Sequence, residues 1–195
     1  QYIGTVKRGT TTESRSEYDS SGNLVRYEQF GQVTTYEYDL SRNLETKRIE
    51  AAGTTEERIT TTQWHATLAL PIEIQESLRK INLTYDNAGN LLTRTITDLT
   101  TKKKRTWTYT YNNLGQILTL TEPTSEKTIY SYDNTGNLLT VTDSAGLVTS
   151  YSNYNTLGQP QIITFPSGHK ITYTYDNLGR VLKTVETRLN PNFET

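Results

Sequence analysis

The sequence predicts an all-β protein, a repeat array of antiparallel β-hairpins with about two strands in each unit of 20–26 residues. Three observations lead there. A short motif returns seven times: Tyr, then Asp or Asn, two variable residues, a Gly slot, a polar residue and then, in most copies, an aliphatic one. A second turn signal lies midway between most copies. Between the turns, large side chains alternate with small polar ones at a period of two, not 3.6. A regular repeat decides architecture early, because each unit buries its faces against its neighbours.

The copies begin at Tyr18-Asp19, Tyr38-Asp39, Tyr85-Asp86, Tyr111-Asn112, Tyr132-Asp133, Tyr154-Asn155 and Tyr175-Asp176. Gly22, Gly89, Gly115, Gly136, Gly158 and Gly179 fill the fifth position, and Arg42 stands there in the second copy. The spacings are 20, 47, 26, 21, 22 and 21 residues. The spacing of 47 is a doubled unit, with Trp64-His65 replacing the middle signal, and counting it gives eight units. Asp or Asn opens a type I turn by accepting bonds from the turn's own backbone, and Gly takes the left-handed position that follows. That combination closes a short hairpin. Arg42 in the Gly slot is expected to strain its turn or force another type.

The second set of turns is read at Gly31, Ala51-Ala52-Gly53, Pro123-Thr124-Ser125, Ser144-Ala145-Gly146 and Pro166-Ser167-Gly168. Turn signals roughly every ten residues mark an all-β chain. Ile81/Leu83/Tyr85, Trp107/Tyr109/Tyr111, Tyr130/Tyr132 and Ile171/Tyr173/Tyr175 place large side chains on one face of their strands. Thr and Tyr both suit a pleated surface. The stretch from Ile72 to Lys80 is the least regular, and a long hairpin loop is expected there.

The chain carries 20 Lys and Arg against 21 Asp and Glu, so nothing in its net charge of −1 attracts nucleic acid. The one basic run, Lys102-Lys103-Lys104-Arg105, is read as a solvated hairpin tip between strands. Hydrophobic residues make up 33% of the chain, low for a two-sided core but suited to a sheet with a wet face. No transmembrane or signal-peptide pattern is read within residues 1–195. Cys is absent, which removes disulfides and thiol chemistry. Met is absent too, and the chain opens on Gln1, so residues 1–195 are expected to be one repeat segment of a longer protein.

The Tyr-Asp-x-x-Gly-[Asn/Arg]-[Leu/Val] repeat resembles the YD repeat of the Rhs family, whose members include bacterial polymorphic toxins, toxin-complex C components and animal teneurins. The stretch from Trp64-His65 to Pro71 resembles the Trp-His-Pro interruption of bacterial Rhs cores, with Ala66 where Pro is more usual. The resemblance implies a ribbon of hairpins wound into a hollow shell that confines a toxic C-terminal domain. It implies as partners the remainder of the same polypeptide and its toxin cargo, with type VI secretion spike and adaptor proteins, and a secreted or cell-surface location. This chain would be a curved, twisted strip of the wall, since so many strands do not stay flat. An aspartyl self-cleavage element of the family's Asp-Pro type has no counterpart here, because the chain contains no Asp-Pro.

Little in the sequence points to catalysis. His65 and His169 lack partners at metal-ligand spacing, and no Cys is present. His169 follows Ser167-Gly168 in a turn and is expected to be exposed, while His65 is expected to pack or hydrogen-bond structurally. The motif carboxylates lack the spacing of a calcium loop. No cofactor, metal or enzymatic activity is therefore expected, nor a nucleic-acid partner. The Tyr-rich face leaves a second reading open, a surface-displayed module that binds a glycan or a receptor. The sequon at Asn82-Leu83-Thr84 carries no weight in a bacterial protein. Exposed strand edges are expected to make the segment self-associate edge to edge.

Overall fold

A computed structural model of the chain describes residues 2–8 and 11–188. It divides into two compact units, 1–106 and 107–195. The first holds β1 (Tyr2–Arg8), β2 (Thr11–Tyr18), β3 (Leu24–Gln29), β4 (Gln32–Asp39), β5 (Leu44–Glu50), β6 (Arg58–Trp64), β7 (Pro71–Gln75), β8 (Arg79–Tyr85) and β9 (Leu91–Asp98). β10 (Lys104–Tyr111) begins in the first unit and ends in the second. The second unit continues with β11 (Ile117–Thr121), β12 (Lys127–Tyr132), β13 (Leu138–Thr142), β14 (Val148–Tyr154), β15 (Pro160–Thr164), β16 (Lys170–Tyr175) and β17 (Val181–Thr187).

Within each unit the chain is a meander, every strand pairing antiparallel with its sequence neighbour. Among the described residues, strands in a unit contact only those neighbours, so each unit is one layer. The all-β hairpin array expected from the sequence is what is found.

A single layer has no interior, and the burial reflects this. Among the described residues no apolar side chain is buried, and only Thr97, at 8% exposure, is. Cohesion comes from cross-strand pairs. On one face of the second unit Tyr109 opposes Leu120, Tyr130 opposes Val141, and Tyr151 opposes Ile163, which in turn opposes Ile171. Such pairs contribute roughly 0.2–1 kcal/mol each. On polar positions hydroxyls pair across strands, as in Thr84 with Thr93 at 2.7 Å, Thr95 with Thr106 at 2.9 Å and Thr110 with Thr119 at 2.7 Å.

Two segments differ from their sequence reading. The stretch Ile72 to Lys80 is no long loop. β7 and β8 meet across Gln75 and Lys80, and the amide of Glu76 donates to the carbonyl of Arg79 at 2.8 Å. The hairpin is short, and Ile74 opposes Ile81 across it. The basic run is only half a tip. Lys102, with φ of +59°, turns the chain, while Lys104 and Arg105 already belong to β10.

Candidate functional site: the tyrosine-turn hairpin tips

The motif residues gather at alternate hairpin tips, each Tyr at or one residue before the end of a strand and each Asp or Asn opening the turn. Asp86 shows the arrangement. Its Oδ1 accepts the amides of Ala88 at 2.9 Å and Asn90 at 2.8 Å, and its Oδ2 accepts Asn90 Nδ2 at 2.9 Å. The amide of Gly89 donates to the carbonyl of Asp86 at 3.0 Å, and Gly89 stands at φ +88°. This is a type I turn followed by a left-handed residue. Asp19 and Asp133 repeat it with Asn23 and Asn137. At Asp176 the second partner is Arg180, whose Nε lies 2.6 Å from Oδ2.

The Asn copies solve the same problem differently. Asn112 and Asn155 still accept two turn amides through Oδ1. Their other terminus is now a donor, so the partner must accept, and Gln116 and Gln159 supply Oε1 at 2.9 and 3.0 Å. Because Gln meets Asn through its oxygen, its own amide nitrogen is turned outward, whereas the Asn of an Asp tip turns its nitrogen inward to the carboxylate. Gln116 Nε2 reaches the carbonyl of Gly136 on the next tip at 2.7 Å, and Gln159 Nε2 reaches that of Gly179 at 2.9 Å. A Cβ at Gly179 would lie 2.8 Å from Gln159 Oε1 and 3.1 Å from Leu157 Cδ1, so those side chains would have to shift, and the φ of +78° itself favours Gly.

Hydrogen bonding holds the motif carboxylates below the ordinary Asp range. Bonds from Ser41 and then Arg42 bring Asp39 to about 2, and bonds from Thr135 and Asn137 bring Asp133 to about 2. Asp19, Asp86 and Asp176 shift the same way, led by the bonds from Asn23, Asn90 and Arg180.

The tyrosines do something that the motif does not spell out. Five of the seven motif tyrosines reach back one unit. Tyr38 Oη donates to the carbonyl of Leu24 at 2.9 Å, Tyr85 to Pro71 at 2.9 Å, Tyr132 to Ile117 at 3.0 Å and Tyr175 to Pro160 at 2.9 Å, and Tyr154 donates to Leu138. The acceptor is always the residue that opposes the preceding motif aromatic. Leu24 opposes Tyr18, Leu138 opposes Tyr132 and Pro160 opposes Tyr154. At these pairs the ladder also slips, leaving Val25, Leu92, Leu118, Leu139 and Leu182 as extra residues beside Tyr18, Tyr85, Tyr111, Tyr132 and Tyr175. Partial desolvation raises the hydroxyl pKa of Tyr38, Tyr85, Tyr132 and Tyr154.

Trp64 stands in this series. Its Nε1 donates to the carbonyl of Glu45, which opposes Tyr38, at 2.8 Å. Pro71 opposes Trp64 and accepts from Tyr85. His65 Nδ1 accepts from the amides of Thr67 at 3.3 Å and Leu68 at 3.2 Å, taking the place that Asp holds at other tips. The Arg42 turn avoids strain by moving the left-handed residue one position on, to Asn43 at φ +59°. Asn tolerates that conformation, which Arg does not favour. The Arg42 side chain then binds Asp39 Oδ2 at 2.8 Å and the carbonyl of His65 at 2.6 Å. The two departures from the motif thus contact one another, which sequence spacing alone does not reveal.

His169 is not exposed as expected. Its ring stacks on Phe165, with centroids 5.3 Å apart, and its Nε2 is buried, 3.7 Å from Glu186 Oε2. Asn82 on β8 donates across to its partner Glu73 on β7 at 2.9 Å. Among the described residues no group of three or more His, Cys, Asp or Glu is placed to hold a metal ion. No helix among them is long and apolar enough to cross a membrane.

Repeated tips of this construction, on single-layer meanders, define a β-hairpin repeat protein. Family models give its kind. The teneurin YD-shell model matches residues 67–157 and the RHS-repeat model matches residues 18–55 and 154–188. Between them the two models match residues 18–55 and 67–188, so the chain carries the YD/RHS repeat. Its fold is similar to solved toxin-complex structures. One of TcdB2-TccC3 matches with TM-score 0.75 and 15% identity over 90% of this chain. A structure of TcdB2-TccC3 with Cdc42 matches with TM-score 0.74 and 16% identity, also over 90%. The Tc holotoxin pore of Photorhabdus luminescens matches with TM-score 0.66 and 16% identity over 91%. The chain spans only 10–11% of the length of those chains. Among curated proteins none matches.

Proposed function

We propose that this segment is wall material of a YD/RHS shell, and that its work is confinement of a C-terminal toxin domain. The supporting observation is the one-layer sheet whose successive units are tied by aromatic donors to backbone carbonyls. Such a sheet builds no interior of its own, but it can bound one. The motif residues act as structural parts: Asp, Asn and Gly shape the tips, and Tyr and Trp tie each unit to the one before. On this reading both compact units belong to one continuous repeat array, the protein is not an enzyme, and it works outside the producing cell. Its partners are the rest of the polypeptide and the cargo, and type VI secretion with a spike and an adaptor is the delivery route.

Electron microscopy of the full-length protein tests the shell. A hollow closed particle with density inside is expected, and a solid rod or open filament would refute confinement. Co-purification with a secretion spike protein tests the route separately.

The second reading, a glycan-binding module, needs Tyr rings and hydroxyls open to a sugar. The hydroxyls of Tyr38, Tyr85, Tyr132, Tyr154 and Tyr175 are already donated to carbonyls, which weighs against those positions.

A further inference from the structure

The first unit has a second edge, formed by the tips between β5 and β6, β7 and β8, and β9 and β10. The last two tips are joined, since the amide of Leu99 donates to the carbonyl of Leu78 at 2.9 Å. Between them lies a concavity of about 520 Å³, walled by Leu78 and Ile96 and rimmed by Lys103, Lys104 and Arg105. Leu78 is 69% exposed. Arg79 also lines it but is committed to Glu76 through two bonds of 2.7 and 3.1 Å.

Lys102, Lys103, Lys104 and Arg105 make no ion pair within 4.0 Å with any described carboxylate. Asp98 itself lines the concavity and offsets one of the rim's positive charges, with its Oδ1 accepting the amides of Thr100 and Thr101, which leaves the three basic side chains in excess. The spot is therefore cationic on a chain of net charge −1.

We propose that this concavity docks an acidic peptide segment bearing an apolar side chain, its carboxylates on the Lys103–Arg105 rim and its apolar group against Leu78 and Ile96. The neighbouring tip argues against an extended polyanion. Glu50, Glu56 and Glu57 lie on or beside the β5–β6 tip and would repel a nucleic-acid strand or an anionic membrane continuing along the edge. The lining also holds no aromatic ring on which a base would stack. This proposal does not depend on the shell reading.

The test is fluorescence anisotropy of a labelled peptide of alternating glutamate and leucine, titrated with the full chain. Binding that weakens with salt is expected, with affinity about tenfold lower in Lys103→Gln/Lys104→Gln/Arg105→Gln and reduced also in Leu78→Ala. Lys127→Gln/Lys170→Gln, on the other unit, should leave it unchanged. Circular dichroism checks each variant's fold; if the triple variant unfolds, Lys104→Gln and Leu78→Ala carry the comparison. Four results would overturn the proposal: no binding; equal binding of an all-glutamate peptide with no loss in Leu78→Ala; tighter binding of a DNA oligonucleotide or phosphatidylserine vesicles; or a salt-sensitive dimer of the chain that the triple substitution dissolves while the peptide fails to bind.

Discussion

At the residue scale, one side-chain choice sets which neighbour a tip can address. Asp with Asn closes the tip on itself, whereas Asn with Gln leaves an amide that crosses to the next Gly carbonyl. This makes the glycines unequal. Gly146 has open space around its Cβ direction, so Gly146→Ala meets only left-handed strain, about 1–2 kcal/mol. Gly179→Ala meets the same strain and a contact of 2.8 Å with Gln159. Chemical denaturation should show the larger loss for Gly179→Ala; equal losses would mean that the inter-tip contact carries no energy. The carboxylates predict an acid response. Their folded pKa values are depressed, so their contribution is complete above the ordinary value of 3.8 and is lost as pH falls towards the folded values, about 2 for Asp39 and Asp133. The melting midpoint should fall between about pH 4 and pH 2, less steeply in Asp39→Asn/Asp133→Asn. A midpoint flat to pH 2 in the parent chain would contradict the mechanism.

At the element scale, hairpins are linked in series by aromatic donors. Tyr85→Phe keeps the ring and removes only the bond to Pro71, which should cost about 0.5–1.5 kcal/mol. The same change at Tyr173, for which no such hydroxyl bond is described, should cost less. Hydrogen exchange is the more local check: amides of β7 and β8 should lose protection in Tyr85→Phe while those of β12 and β13 keep theirs. Uniform loss would show that Tyr85 acts through general packing instead. The tip positions and strand periodicity were legible in the sequence, because turn residues and alternation are local properties. The reach-back of each hydroxyl was not. It depends on which carbonyl the slipped ladder presents a unit away, some 14–16 residues back in sequence. The pairing of Arg42 with the Trp64-His65 tip was hidden for the same reason: the bond spans 23 residues and two strands.

At the scale of the whole molecule, each compact unit is a single layer, and no apolar side chain among the described residues is buried. β17 shows the consequence: all seven of its residues are exposed, including Val181, Leu182 and Val185. Exposed apolar strands invite pairing with another chain. The isolated segment should therefore associate with rising concentration, and Leu182→Lys/Val185→Lys should suppress this in light scattering. Persistence of association in that variant would place the contact elsewhere.

What the sequence determined by itself is the repeat: hairpins, their tips and the all-β class follow from residues a few positions apart. Only the tertiary structure decided how units are joined, that His169 is tucked onto Phe165, and that basic and apolar groups share one concavity. Turn chemistry acts within five residues and is written in order along the chain. Contacts between units depend on register and bulges, which bring distant residues together in ways that no single repeat encodes.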